Sequence, residues 1–315
     1  MSNLTYKFKG AGHEEPEGKR KYEKPNRRLA AIFEEWLKAA EMDMLDRDEN
    51  SREPPTATSY IRDKLAGCPC TVAEAHGLLI KYQDHPKIKE AGTFLTLIYN
   101  RAKDKVIIFD VDIGARINSL GHELAKGKCL VNKSNVGEHF GSCSEGLIIN
   151  YGEAGDYCGD STEGPFLNYA KCRDVAARAA EELWINAGET MSFGYEANAP
   201  LINFNRASTF GVQAKSEATL INAGHCKLLG DFAEARIIAI VNPHSYKDTS
   251  SKFKLTEADC NKIPRLVKYF GNLKQKIEEG RTDHNKAISV MENLNAQTME
   301  ENLERILALS GLGWW

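Results

Sequence analysis

The sequence predicts a mainly β solenoid, a parallel β-helix of about six to seven turns of about 18 residues, flanked by α-helical segments. Two observations predict it. An asparagine preceded by two apolar residues recurs seven times between residues 127 and 242, at steps of 18, 18, 18, 17, 19 and 20 residues. Glycines recur at matching offsets between these copies. Self-similarity at such a period is typical of solenoid proteins.

Residues 1–28 are predicted to form a flexible basic arm. They contain eight Lys or Arg against four Glu, with Gly and Pro interspersed and few apolar residues. Such a composition buries too little apolar surface to offset the entropy of ordering. The excess positive charge could contact the phosphates of a nucleic acid, and a solvated tail is the alternative. The residues of this possible polyanion contact are Lys19, Arg20, Lys21, Arg27 and Arg28.

Residues 29–105 are predicted to be helical and to cap the N-terminal end of the solenoid. Asn26 is a suitable N-cap, and Thr71 with Glu74 has the spacing of a capping box. Pro54 and Pro55 place a loop over residues 46–58, and a further apolar helix is predicted over 88–99. Three- and four-residue spacing puts one apolar face on the first helix, formed by Leu29, Ile32, Phe33, Trp36, Leu37, Ala40 and Met44.

The solenoid is predicted to span residues 106–248, beginning with a strand at the apolar run Val106–Phe109. Each apolar pair with its asparagine is a short strand, and equivalent strands stack about 4.8 Å apart. Stacking brings identical amides into register, so that each side chain donates to one neighbour and accepts from the other. The asparagines of this predicted ladder are Asn132, Asn150, Asn168, Asn186, Asn203, Asn222 and Asn242.

Glycines such as Gly155 and Gly159 are predicted to form the corners of the coil, because glycine permits left-handed backbone. The residue before the third glycine of a turn is commonly apolar and is predicted to face the interior, which makes Cys158 a core residue. Around residues 171–183 the glycines are replaced and the sequence is compatible with a helix, which leaves open a bulge or a short helical excursion. The predicted inward residues are Phe140, Cys158, Phe193, Phe210 and Leu229.

Residues 249–315 are predicted to contain two helices. Thr256 with Asp259 has the pattern of a helix start, Gly280 can end that helix, and a second helical pattern follows over 287–309. An open solenoid end exposes strand edges that template aggregation, so we expect these helices to cap the C-terminal end. The apolar stripe of the first of them is Leu266, Val267, Phe270, Leu273 and Ile277.

The spacing Gly152-x-x-Gly155-x-x-x-Gly159-x-x-x-x-Gly164, with strands between successive copies, resembles the Gly-x-Gly-x-Gly repeat of a known β-helix family. That family is the right-handed β-helix at the C-terminus of glutamate synthase large subunits, and the β-helical subunit of formylmethanofuran dehydrogenase is similar. The resemblance covers residues 127–242 and implies a right-handed coil. In these proteins the coil holds other domains or subunits and supplies no catalytic residue, so the resemblance assigns no catalytic residue here.

Composition and motifs give little sign of chemistry. The net charge is −3 with 27% charged residues, which gives no overall field for a polyanion. The sequence has no apolar run of about 18 residues and no P-loop, nucleophile elbow, HExxH or paired zinc-ligand pattern. Cys68 and Cys70 with His76 lack the second ligand pair of a zinc site. We therefore expect a cytoplasmic protein with no cofactor, no metal and no membrane contact.

One acidic feature follows from the repeat. Glu138, Asp156 and Asp174 occupy the same offset in consecutive turns, so they are predicted to form an acidic column with about 5 Å between steps. Stacked like charges would favour a bound cation or the basic side chains of a partner, and solvated surface acids are the alternative.

The expected function is a non-enzymatic scaffold that binds protein partners. One alternative is a hexapeptide-repeat acyltransferase, because 18 is three times six, although Ser142 and Asp160 interrupt the required apolar series. The other alternative is an RNA- or ribonucleoprotein-binding factor that uses the basic arm, residues 1–28.

Overall fold

The structure is a computed structural model that describes residues 22–43, 56–199, 201–203, 205–222 and 225–239 of the 315-residue chain. Several predicted features lie outside these ranges. They are Lys19, Arg20, Lys21, Met44, Asn242 and the two predicted C-terminal helices over 249–315.

The N-terminal part of the described chain is helical. Asn26 caps the first helix, because its side-chain oxygen accepts a hydrogen bond from the backbone N–H of Leu29 at 2.8 Å. Thr71 and Glu74 form the predicted capping box of the third helix. Among the described residues, no helix is both long and apolar enough to cross a membrane. The helices are α1 (Arg27–Asp43), α2 (Thr56–Ala66), α3 (Val72–Lys81) and α4 (Gly92–Arg101), with a 3-10 helix at Ile88–Ala91.

No separate helix was predicted at α2, and its residues 56–58 fall within the loop predicted over 46–58, so that loop bound is wrong. The packing of α2 gives the reason. Among its described side chains, from residue 60 onward, two apolar ones are fully buried, Ile61 and Leu65, one turn apart. Two anchors are too few to produce a periodic signal in the sequence. By contrast, Leu29, Phe33 and Leu37 of α1 are all buried, as the apolar spacing of that helix predicted.

A parallel β-solenoid follows the helices. The strands are β1 (Val106–Phe109), β2 (Cys129–Asn132), β3 (Leu147–Asn150), β4 (Phe166–Asn168), β5 (Val175–Ala176), β6 (Trp184–Asn186), β7 (Glu189–Phe193), β8 (Leu201–Asn203), β9 (Arg206–Phe210), β10 (Thr219–Asn222), β11 (His225–Leu229) and β12 (Arg236–Ala239). Within the described ranges they form an eight-stranded sheet in the order β1-β2-β3-β4-β6-β8-β10-β12 and a four-stranded sheet in the order β5-β7-β9-β11. Each strand pairs in parallel with its equivalent one turn away, as Asn132 with Asn150 and Asn150 with Asn168.

Large side chains from both sheets fill the interior of the solenoid. The rings of Phe166 and Trp184 stack with centroids 3.9 Å apart, and those of Phe193 and Phe210 stack at 5.0 Å. All of the predicted inward residues, including Cys158, are fully buried. The interior is therefore a packed core, as expected for a small coil.

Left-handed backbone recurs at one corner of the coil. Gly159 has φ +63°, and a Cβ atom there would lie 2.2 Å from Cζ2 of Trp184. Ala177 occupies the equivalent place one turn later with φ 57°. Glycine is thus required at the first position for both conformation and space, whereas the second carries a side chain in a conformation that L-residues rarely adopt.

The coil continues through residues 171–183 without a helix. Of the two alternatives that the sequence left open for this segment, the short helix is therefore wrong. Backbone N–H groups of this segment bond to the neighbouring turns instead. Arg173 donates to Ala154 O at 3.2 Å, Ala177 to Cys158 O at 3.0 Å, and Glu181 to Thr162 O at 2.9 Å. Bonding between turns overrides the local helical propensity.

The described helices join the coil at its first turn. The side chain of Asn100 donates to Glu123 O and accepts from the N–H of Ala125, at 2.9 and 2.8 Å. The Oγ1 atom of Thr96 accepts from the N–H of Gly121 at 2.8 Å. Side chains of α4 thereby satisfy backbone groups of the first turn.

Candidate functional site

The asparagine ladder is present over the described ranges. The amide nitrogen of each of the first five asparagines donates to the side-chain oxygen of the next one, with distances of 2.8 to 2.9 Å, and all six side chains are fully buried. The predicted ladder is therefore confirmed for six residues, and its position inside the coil makes it structural. The six are Asn132, Asn150, Asn168, Asn186, Asn203 and Asn222. The prediction of Asn242 as the seventh ladder residue is wrong, because Ala239 of β12 is in register with Asn222.

Both ends of this ladder have further partners. At the first end, Oδ1 of Asn132 accepts a hydrogen bond from the N–H of Ser134 at 3.1 Å. At the other end, Nδ2 of Asn222 lies 3.3 Å from Sγ of Cys226 and donates to it. Buried amides at the ends are thus bonded as well as those in the middle.

The residues of the predicted acidic column lie on consecutive turns. Bridges between Ala154 and Cys172 and between Cys158 and Ala176 place Asp156 level with Asp174. A carboxylate oxygen of Asp156 accepts a hydrogen bond from the backbone N–H of Asp174 at 3.2 Å. Among the described residues, no three His, Cys, Asp or Glu side chains are grouped so that they could hold a metal ion. Cation binding by the column stays a prediction.

The basic residues of the predicted polyanion contact are only partly described. Arg27 and Arg28 are exposed in the first turn of α1. They lie on the helical part of the chain, whereas the acidic residues lie on the coil.

A pair of cysteines meets inside the coil, which the sequence pattern did not reveal. The sulfur atoms of Cys158 and Cys172 are 3.0 Å apart and both side chains are fully buried. Burial, together with the hydrogen bond to Cys172, raises the pKa of the Cys158 thiol well above its ordinary value. The two cysteines stand at different distances after the preceding ladder asparagines. A comparison of equivalent positions in successive turns therefore does not pair them. A protonated, enclosed thiol is a poor nucleophile.

The cluster of Cys68, Cys70 and His76 also serves packing. The ring of His76 is buried and one of its nitrogens lies 3.0 Å from the hydroxyl of Tyr99. Burial raises the pKa of Cys70 to about 11. Cys68 is buried in the helical core.

A shallow cavity of about 270 Å³ lies beside helices α2 and α4. One of its two arginines, Arg62, forms an ion pair with Glu123 at 3.0 Å. That carboxylate offsets part of the positive charge an anionic ligand would need. The lining residues are Arg62, Leu65, Leu97, Asn100 and Arg101.

The outer side of the second sheet is an exposed surface with mixed chemistry, which we call the β7–β11 face. Met191 is 58% exposed on it. Glu189 is in register with Arg206, and Arg206 is in register with His225 on the next strand. The face therefore carries an acidic, a basic and a histidine side chain in one row across the strands. The corner that follows β11 carries Phe232, which is 71% exposed. The exposed residues of the face are Glu189, Met191, Arg206, His225 and Lys227.

No family model, no curated protein and no solved structure matches this chain. The candidate sites are therefore compared by their own geometry. The ladder and the cysteine pair are enclosed, whereas the β7–β11 face is open and offers an apolar anchor among charges. That face is the best candidate for contact with another molecule.

Proposed function

We propose that this protein is a non-enzymatic scaffold that binds a protein partner through its β7–β11 face. The observation that carries the proposal is the exposed thioether of Met191 among charged residues of both signs. Methionine and arginine are enriched in protein interfaces, and the methionine side chain adapts to irregular apolar surfaces. Glu189 and Arg206 would form the polar surroundings that orient the partner.

Rigidity supports a scaffold role. The strands behind the face are hydrogen-bonded turn to turn, and Phe193 and Phe210 stack beneath it. A surface held in one conformation loses little entropy when it binds. The face therefore suits a partner that docks on a preformed shape.

The proposal extends to the coil as a whole. We propose that it is right-handed and that helices α1–α4 cap its N-terminal end. The hydrogen bonds of Thr96 and Asn100 to first-turn backbone groups support the capping role, because they satisfy backbone groups of that turn. The resemblance to β-helices that hold other domains or subunits supports the scaffold role.

The test compares two exposed apolar side chains on different surfaces. Met191→Glu places a charge on the β7–β11 face, and Tyr60→Glu places one on α2, where Tyr60 is 54% exposed. Full-length protein and both variants capture partners from native extract, followed by quantitative mass spectrometry and size-exclusion chromatography. We expect a partner that is retained by the wild type and by Tyr60→Glu and lost by Met191→Glu. A strictly monomeric protein without partners, or equal capture by both variants, would overturn the proposal.

Nucleic-acid binding is a second candidate because Arg27 and Arg28 are exposed at the start of α1. The positive end of the helix dipole adds to their charge. If they contact phosphates together with Lys19, Arg20 and Lys21, replacing all five by glutamine abolishes salt-dependent retention of the chain on RNA. Unchanged retention, or none in the wild type, would end this candidate. The acyltransferase alternative has no supporting observation among the described residues.

A further inference from the structure

The outer side of the first sheet carries a continuous apolar column. Along each strand, the residue between the inward apolar residue and the ladder asparagine points away from the interior, because successive side chains alternate. These residues are aligned strand to strand by the parallel register. The column consists of Val131, Ile149, Leu167, Ile185 and Ile202.

This outward column is covered. Its five side chains are 0 to 1% exposed, although they do not face the coil interior. Ile108 is aligned with Val131 in the same column on β1, and it is 40% exposed. An outward isoleucine on an uncovered sheet should be about as exposed as Ile108. The burial of the other column residues therefore indicates that side chains pack over the outer side of the strands from β2 to β8.

The described helices do not account for the cover. Within the described ranges, the hydrogen bonds that join them to the coil reach residues 110–128, at the first turn. The second sheet lies across the coil interior, where Phe193 and Phe210 face inward. The described helices and the second sheet therefore do not explain the burial of this column.

Three long segments lie outside those ranges: 1–21, 44–55 and 240–315. The first is rich in charge, and the second, MLDRDENSREPP, has only two apolar side chains apart from its prolines. The third holds 76 residues, since 315 minus 239 is 76, and it starts directly after β12 at the edge of this sheet. Among the three, it alone carries an extended apolar stripe at helical spacing.

We infer that the stripe Leu266, Val267, Phe270, Leu273 and Ile277 docks on the outward column of the first sheet. The dimensions agree. From β2 to β8 there are four strand spacings, about 19 Å, and a helix over the 12 residues 266–277 is about 18 Å long. Aliphatic side chains on the sheet match the apolar stripe, and docking removes both from water. This face would then be closed to partners, and the inference does not depend on the proposed function.

The first test asks whether the column is covered, with two isoleucines of the same column as a matched pair. In the full-length chain, Ile149→Lys would bury an unpaired charge under the docked segment, whereas Ile108→Lys stays in water. We expect Ile149→Lys to lower the melting temperature by roughly 5 to 10 °C and Ile108→Lys by less than about 2 °C. Equal small shifts would mean an open face and overturn the inference.

The second test identifies the covering segment with milder changes that keep the chain folded. Leu167→Ala and Phe270→Ala are combined in a double-mutant cycle, read as shifts in melting temperature. If the two side chains touch, the double variant loses clearly less than the sum of the single losses. The control cycle pairs Phe270→Ala with Leu78→Ala in the buried core of α3, where additive losses are expected. Additivity in the first cycle would assign the cover to another segment and overturn the inference. A melting temperature that rises with protein concentration would indicate a second copy and would also overturn it.

Discussion

Removing one amide from the middle of the ladder should destabilise the protein strongly. Asn150→Ala deletes two buried hydrogen bonds, one donated to Asn168 at 2.9 Å and one accepted from Asn132 at 2.8 Å. A net value of about 1 kcal/mol each gives about 2 kcal/mol. The fully buried amide of Asn132 also loses its partner, which adds about 1 to 3 kcal/mol. Oδ1 of Asn168 keeps the N–H of Ala170 at 3.3 Å, so no similar penalty arises there. The expected loss is about 3 to 5 kcal/mol.

Urea denaturation followed by circular dichroism measures this loss as a lower midpoint at unchanged slope. Asn205→Ala is the matched control, because Asn205 is exposed and donates to Ala187 O at 3.2 Å. We expect that control to lose less than about 1 kcal/mol. Asn150→Asp adds a second check, since a buried carboxylate cannot donate to Asn168 and the variant should recover stability as the pH falls. Equal midpoints for Asn150→Ala and Asn205→Ala would refute the ladder as a source of stability.

Three further predictions concern the corner and its surroundings. Gly159→Ala should cost more than about 2 kcal/mol, because the added Cβ would lie 2.2 Å from Trp184; an unchanged urea midpoint would contradict the packing. Ala177→Gly should stabilise by about 0.5 to 1 kcal/mol because φ is 57° there, and a fall in melting temperature by calorimetry would contradict it. Burial raises the pKa of Asp160 in the folded state, so its ionisation costs stability as the pH rises from the unfolded-state pKa through the raised folded-state pKa. The melting temperature of Asp160→Asn minus that of the wild type should therefore increase from acid to neutral pH, and a constant or falling difference would show that burial of this carboxyl does not matter.

Period and local pattern were enough to predict the ladder and the strands of the first sheet from β1 to β10, but not the second sheet or β12. Asn132 and Asn150 align because equal spacing in sequence becomes equal height in a coil. The cap at Asn26 was also predictable, since a side-chain acceptor before an apolar helical pattern acts within one turn of chain. These features depend on residues close in sequence or on strict repetition.

Features that depend on particular contacts between turns were missed or left open. Helix α2 has too few apolar anchors to be recognised, and residues 171–183 follow the coil because their N–H groups find acceptors one turn away. Cys158 and Cys172 approach each other from adjacent turns although their offsets from the ladder asparagines differ. The β7–β11 face likewise became a candidate site only when the fold showed that Met191 is exposed.

The repeat by itself determined that each turn from β2 to β10 contributes two apolar residues and an asparagine to a stacked strand. Only the tertiary structure decided which apolar residue fills the coil and what becomes of the other. Ile148 faces the interior and Ile149 faces outward, yet both are fully buried. A strand covered on both faces is apolar at every position, so its sequence carries no alternation to distinguish the two sides. The difference between the inner and outer residue arises from what packs against each, which is a property of the folded chain.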